Sequence, residues 1–210
     1  MINFYGIGYD NASRDDYKIL RFYNGEFEDE MGNMESHNPE VDIYEFKSSS
    51  WRTLDASSLD WFVVYQCKGV SVKGNMYWIA ERNHSSHNFI QCFNFSIETF
   101  KPICSIPINY GVFDVVALSS YKGDKLSLLY QHEDKVDMEV WITKKVNANV
   151  VSWTKLFIFT RPDHSKFLTH EELAHPVYFI DNNNRIVICC DELVEDGHQV
   201  SVMDSKSKLR

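Results

Sequence analysis

Along most of this chain, hydrophobic and polar residues alternate with a period of two. The runs "VDIYEF" (41–46), "GVSVKGNMYWIAE" (69–81), "FIQCFNFS" (89–96), "VVALSS" (115–120) and "KLSLLYQ" (125–131) each predict a strand. So do "MEVWIT" (138–143), "KLFIFT" (155–160), "PVYFI" (176–180) and "RIVICCDE" (185–192), with Phe4–Tyr9 and Tyr17–Phe22 at the start. Turn-forming residues punctuate them: Gly74-Asn75, Gly123-Asp124 and Asp181–Asn184. Helix signals are scarce. Thr169 and Glu172 have capping-box spacing, yet Pro176 leaves room for about one turn. The pattern predicts an all-β fold.

The strands also recur as a unit. A strand, tight turn and strand appear in "GVSVKGNMYWIAE", in "VVALSSYKGDKLSLLYQ" and in "PVYFIDNNNRIVICCDE". A second half-unit, closing on an aromatic, appears in "VDIYEFKSSSWRTL", "FIQCFNFSIETFKPI" and "MEVWITKKVNANVVSWTKLFIF". Gly74 and Gly123 lie 49 residues apart, and the aromatics Trp51, Phe100 and Trp153 lie 49 and 53 apart. Four strands per roughly 50 residues is the period of a kelch-like β-propeller blade. A β-sandwich does not require such a recurrence. The count predicts one domain over 1–210, with blades at about 4–55, 68–107, 113–160 and 175–204. That is about three and a half four-stranded blades, a propeller or an incomplete one, since closed propellers hold about four to eight. On this reading Trp51, Trp78, Trp141 and Trp153 pack between blades, while Trp61 lies off the repeat and is expected to be buried.

Composition narrows the function. The 210 residues are 44% hydrophobic and 14% aromatic, as suits a core-forming β protein. The net charge of −9 comes without a basic stripe, which argues against nucleic acid as partner. No apolar run approaches the ~20 residues of a membrane helix, and no secretory signal opens the chain, so a cytoplasmic or nuclear protein is expected. The five cysteines (67, 92, 104, 189, 190) form no Cys-x-x-Cys pair and read as buried, reduced thiols. The sequons at Asn11, Asn83 and Asn94 therefore carry little weight.

Candidate chemistry is weak throughout. Asp10, Asp15 and Asp16 in "DNASRDD" lack the alternate spacing of a calcium loop and read as a hairpin connection. His84 and His87, and the group His164, His170 and His175 near Glu171 and Glu172, match no ligand spacing. No nucleophile elbow or phosphate loop is present; Lys122 and Lys125 read as solvated, and "EFEDEMGNMES" (26–36) as an exposed acidic loop. No catalytic, cofactor-binding or metal residue is assigned, and no cofactor is expected.

Taken together, "GIGYDNASRDDYKILRF", "VDIYEFKSSSWRTL", "GVSVKGNMYWIAE", "IQCFNFSIETF", "LSLLYQ" and "MEVWITKK…VSWTKLFIF" resemble the plant F-box associated domain, type 1, over nearly the whole chain. The landmarks are Gly8-Tyr9-Asp10, Asp15-Asp16-Tyr17-Lys18, Tyr44, Ser50-Trp51-Arg52, Gly69, Gly74 and Tyr77-Trp78. They continue through Phe93, Phe95, Phe100, Gly123, Trp141 and Ser152–Lys155. Asn94 stands where the family usually has Asp. The resemblance implies a non-enzymatic substrate receptor of a cullin–RING ubiquitin ligase. An F-box, which docks on a Skp adaptor and through it on the cullin, is absent from these residues, so the chain reads as a truncated member. The expected partner is a protein substrate gripped by loops, with Tyr23–Glu40, Asp55–Gln66, Arg82–Asn88 and Thr160–His175 as candidates. Two rivals are a sugar-binding or sugar-acting propeller and an inert or competing fragment. Turnover or binding of glycans distinguishes the first.

Overall fold

The computed structural model describes residues 3–13, 15–23, 26–28, 34–36, 40–55, 59–64, 67–82, 85–111, 113–144, 151–160, 176–190 and 199–203. Among them every regular element is a strand, and every strand pairing is antiparallel. The predicted one-turn helix at Thr169–Glu172 lies outside the described residues, as do His84, His164, His170 and His175. The strands fall into two compact units, one of residues 1–65 and 69–105 and one of residues 66–68 and 106–210.

In the first unit, β1 (Asn3–Tyr9) and β2 (Tyr17–Tyr23) form a hairpin, followed by the short pair β3 (Glu26–Glu28) and β4 (Met34–Ser36). This pair corrects the acidic-loop reading of 26–36: alternation around Phe27 supports a small hairpin there. With β5 (Val41–Glu45) and β6 (Ser50–Leu54), the first sheet has the order β1-β2-β5-β6. The second sheet contains β7 (Trp61–Val63), β8 (Val70–Val72), β9 (Asn75–Arg82), β10 (Ser85–Asn94) and β11 (Thr99–Ser105). Its order is β11-β10-β9, with both β7 and β8 pairing on the remaining edge of β9.

One face of the first sheet packs on the second. Alternation aims Leu20, Phe22, Val41 and Ile43 at Trp61, Met76, Trp78, Phe89 and Phe93, and all nine side chains are buried. Phe22 is the hub: its ring meets those of Phe4, Trp61, Trp78 and Phe100 at centroid distances of 5.2–6.1 Å. Trp61, the indole off the repeat, is buried in this core as expected.

The close approach of the sheets requires glycine. A Cβ on Gly8 would stand 2.2 Å from the Gly74 carbonyl oxygen and 2.2 Å from the Phe95 ring. Gly74 itself has φ +78 and forms with Lys73 (φ 49) the two-residue turn between Val72 and Asn75. The period of the sequence reappears in the backbone: Lys73 and Lys122, like Ser49 and Glu98, are left-handed pairs 49 residues apart.

In the second unit, β12 (Val115–Tyr121), β13 (Lys125–Gln131), β14 (Asp137–Thr143) and β15 (Trp153–Thr160) make a four-stranded sheet in sequence order. A three-stranded sheet follows, built from β16 (Val177–Ile180), β17 (Ile186–Cys190) and β18 (Gln199–Met203). Ala117, Leu129, Met138, Val140 and Phe159 of the former pack on Tyr178, Ile186 and Ile188 of the latter. Polar groups inside this contact are satisfied mutually. The Tyr178 hydroxyl donates to Ser127 Oγ (2.9 Å), and Ser119 Oγ donates to the Tyr178 carbonyl (2.7 Å).

The placing of the tryptophans is corrected in part. Trp78 is buried, but Trp141 and Trp153 are half-buried and Trp51 is 48% exposed. The repeat fixes which sheet face a residue occupies; whether another layer covers that face is a separate matter. The thiol reading also divides. Burial pushes both Cys67 and Cys92 up to about 12, an inert state, whereas Cys104 and Cys189 are half-buried.

Truncating Phe22 to Ala is expected to cost about 3–5 kcal/mol in urea unfolding. Phe46→Ala, at a site 51% exposed, is expected to cost under about 1 kcal/mol. Equal losses would contradict the assignment of the core.

Candidate docking surfaces

The first unit has two unlike ends, and bonds between its sheets define one of them. The Tyr9 amide donates to the Gly74 carbonyl (3.1 Å), and the Asn11 amide to Ser96 Oγ (2.9 Å). Lys18 Nζ lies 2.7 Å from Glu98 Oε1, and Arg52 bridges Glu98 and Glu45. Four turns therefore gather at this end: residues 10–16, 46–49, 73–74 and 95–98. The first is "DNASRDD", and its carboxylate does turn work. Asp10 Oδ1 accepts from the Ala12 amide (2.9 Å), while the Asp10 amide donates to the Asp16 carbonyl (3.2 Å). Asn94 serves likewise, its Oδ1 accepting from the Ser96 amide at 2.9 Å. A neutral amide oxygen thus performs the turn-capping that a carboxylate would.

Two members of the ion cluster are largely shielded from water, whereas the Arg52 side chain is 42% exposed. The Lys18 side chain is 11% exposed and that of Glu98 is 19%. Burial alone would raise the Glu98 carboxyl, yet the bonds from Arg52 and Lys18 outweigh it and hold the carboxyl below its ordinary 4.5. Lys18, the Glu45 and Arg52 pair of one hairpin, and Glu98 are far apart in sequence, and no local pattern joins these three parts.

Antiparallel pairing sends the other strand ends the opposite way. Tyr23, Val41, Leu54, Trp61, Arg82 and Ser85, which border the connections over residues 24–40, 55–60 and 83–84, share the second end. Of the candidate loops at this end, Tyr23–Glu40 holds β3 and β4, Asp55–Gln66 holds β7, and Arg82–Asn88 has only residues 83–84 between β9 and β10. The described residues fix their bases: the Tyr23 amide donates to the Glu40 carbonyl, and Arg82 pairs with Asp60 at 2.7 Å while lying over the Phe89 ring. Residues 24–25, 29–33 and 37–39 of the first candidate, 56–58 and 65–66 of the second, 83–84 of the third and 161–175 of the fourth lie outside the described residues.

Sequence reasoning missed a third surface, the face of the first sheet turned away from the second. Cross-strand rows Tyr5–Arg21–Asp42–Thr53 and Ile7–Ile19–Tyr44–Trp51 build it, with Tyr17 and Phe46 alongside. Tyr5, Ile7, Tyr17, Phe46 and Trp51 are 46–57% exposed. The Arg21 guanidinium lies 5.0 Å from the Trp51 ring centroid and pairs with Asp42. The alternation of these strands carried a signal, because most positions that face away from the core hold aromatic or aliphatic side chains, with Arg21 and Asp42 a charged pair among them.

A family model described as the F-box associated beta propeller domain matches residues 1–209. The chain belongs to this family. Its four successive antiparallel sheets are sheets of a β-propeller fold, and the F-box associated domain uses Gly8, Gly74 and Trp78 here for sheet-to-sheet contact. The chain is 58% identical over 200 residues to F-box/WD-40 repeat-containing protein 1 of Arabidopsis thaliana, covering 94% of this chain and 48% of that protein. It is 51% identical over 194 residues to another Arabidopsis thaliana F-box protein, covering 92% of this chain and 51% of the relative. The chain thus spans about half the length of these curated relatives. A prolyl endopeptidase structure aligns over 94% of this chain and 27% of its own at a TM-score of 0.44 and 8% identity, too slight a likeness to bear on function. No helix among the described residues is long and apolar enough to cross a membrane.

Replacing Glu98 with Gln leaves Lys18 enclosed without its counter-charge, and about 2 kcal/mol of stability is expected to be lost at neutral pH. A carboxyl held below its ordinary value stabilises the fold above that value and ceases to do so as pH falls through the folded one. Urea unfolding should therefore separate wild type from Glu98→Gln at pH 7 and bring them together as pH drops below about 4.5. A gap that widens on acidification would refute this account.

Proposed function

We propose that this chain is a protein-docking module that recognises substrates for a ubiquitin ligase, with the long-connection end of its first unit as the gripping end. The carrying observation is the division of that unit. Turns at one end are tied together by ion pairs and amide bonds, while the longest connection, residues 24–40, leaves from the other, beside the Tyr23–Glu40 bond and the exposed Arg82–Asp60 pair. Rigid sheets carrying long, variable connections are a general way to build recognition surfaces. Family membership and the F-box proteins among the relatives support the ligase context.

On this reading the chain performs no chemistry, and ubiquitin transfer belongs to other subunits. A Skp adaptor and a cullin join through an F-box supplied by a longer form, and the module works in the cytoplasm or nucleus. Acidic and aromatic side chains of the loops provide selectivity, as in other protein interfaces.

Proximity labelling in plant cells tests this, using the 210-residue chain and a variant with Arg82→Glu and Asp60→Lys at the loop bases. The expected outcome is a set of neighbours that accumulates under proteasome inhibition and is depleted by the variant. A neighbour set indifferent to both changes would reject the proposal.

A further inference from the structure

The ion tie between the first two sheets has an exposed member, Arg52, and a run of serines stands beside it. The stretch "FKSSSWRT" (46–53) turns the chain from β5 into β6, and every residue of it is exposed. Pairing sets Ser50 directly across from Glu45, with Arg52 two residues further along the same face of β6. That face is turned toward the second sheet, because Arg52 pairs with Ile43 of the core. Ser50 Oγ lies 2.8 Å from Ser48 Oγ, which donates to Glu45 Oε2 (3.3 Å). Glu45 Oε1 accepts from Arg52 Nε and Nη2, at 3.1 and 2.8 Å, and Arg52 continues to Glu98. The serine hydroxyls are thus joined through one carboxylate to the guanidinium that bridges the sheets.

We infer that Ser50 is a phosphorylation site, and that a phosphate there unlocks this tie. Its setting fits a serine kinase that reads basic charge. Lys47 stands three residues before it and Arg52 two after, in a chain whose net charge is −9. Ser50 also opens β6, an edge strand of its sheet among the described residues, so a kinase can hold residues 47–53 extended without parting β6 from β5. The reaction is an ordinary phosphoryl transfer. Ser50 Oγ bonds to the γ-phosphorus of ATP, the bond from that phosphorus to ADP breaks, and the hydroxyl proton passes to the kinase's base.

Charge decides the consequence. The tie is balanced, with Lys18 and Arg52 set against Glu45 and Glu98. A phosphate adds about −1.5 to −2 and leaves that group with an excess of negative charge. It faces Glu45 across the ladder, where like charges repel. Its oxygens also suit a guanidinium, and Arg52, 42% exposed, turns to them without leaving a packed site. Glu98 then keeps Lys18 alone, and the turns at 10–16 and 95–98 lose a constraint.

Two measurements test the inference on the folded 210-residue chain. After incubation with a calcium-dependent serine kinase and MgATP, cleavage at Glu45 should yield a fragment starting at Phe46 with one phosphate, on Ser50. Lys47→Gln, outside the tie, should slow the addition roughly tenfold, the worth of one charge-assisted contact. Ser50→Ala should abolish it and, unmodified, keep the wild-type unfolding midpoint. Urea unfolding of the phosphorylated chain should show a folding equilibrium weakened roughly tenfold. Amide exchange should quicken at Tyr9 and Asn11, whose bonds cross between the sheets, and stay unchanged in β13 and β14. If the treated chain unfolds outright, Ser50→Ala treated alike must remain folded; unfolding of both would reject the inference. A fragment without phosphate, equal modification of Ser50→Ala, or a phosphorylated chain with wild-type midpoint and exchange would each overturn it. None of these readouts involves the gripping end, so this inference and the proposed function fail separately.

Discussion

Sheet-on-sheet contact is the constraint on which the rest of this structure depends. A four-stranded antiparallel sheet has two faces, and the chain builds stability by laying one apolar face on the next. In the first unit Phe22 reaches into a ring of four aromatics, which demands that the sheets approach closely. Gly8 and Gly74 permit that approach, because any Cβ at Gly8 would meet backbone oxygen and the Phe95 ring. In the second unit Tyr178 is buried between the two sheets, with its hydroxyl satisfied by Ser127.

From this contact follows the asymmetry between the ends of the first unit. Once the sheets are stacked, their turns at one end lie close enough for Lys18, Arg52 and Glu98 to meet across the junction. Charges so enclosed must be paired, and the pairing in turn fixes the stagger of the two sheets. The opposite end is free of that requirement. The longest connection of the unit, residues 24–40, leaves from there, and the entropic cost of such a length rises only slowly.

Much of the architecture was readable from residues alone. Strong alternation marked the long strands, and the recurrence of Gly74 at Gly123 marked the repeat. Weaker elements escaped. β7 has three residues inside "SSLDWFVVYQ", too few to display a period, and β10 starts within the polar "SSHN" because it pairs with β9. The left-handed Lys73, Lys122, Ser49 and Glu98 carried no local signal, since their geometry is imposed by hairpins closing on both sides. For the gripping end, the loops were identifiable as long and polar, but their shared location was not.

The order of polar and apolar residues by itself determined the strands, their face assignments and the 50-residue recurrence, because these depend on neighbours one or two positions away. Tertiary structure decided which faces are covered. Trp51 and Phe100 occupy the same place in the repeat, 49 residues apart, yet Trp51 is exposed while Phe100 packs against the core of the first unit. It also decided the meeting of Lys18 with Glu98, 80 residues away. A pattern of side chains can orient a surface; only the packed neighbours determine whether water or protein lies against it.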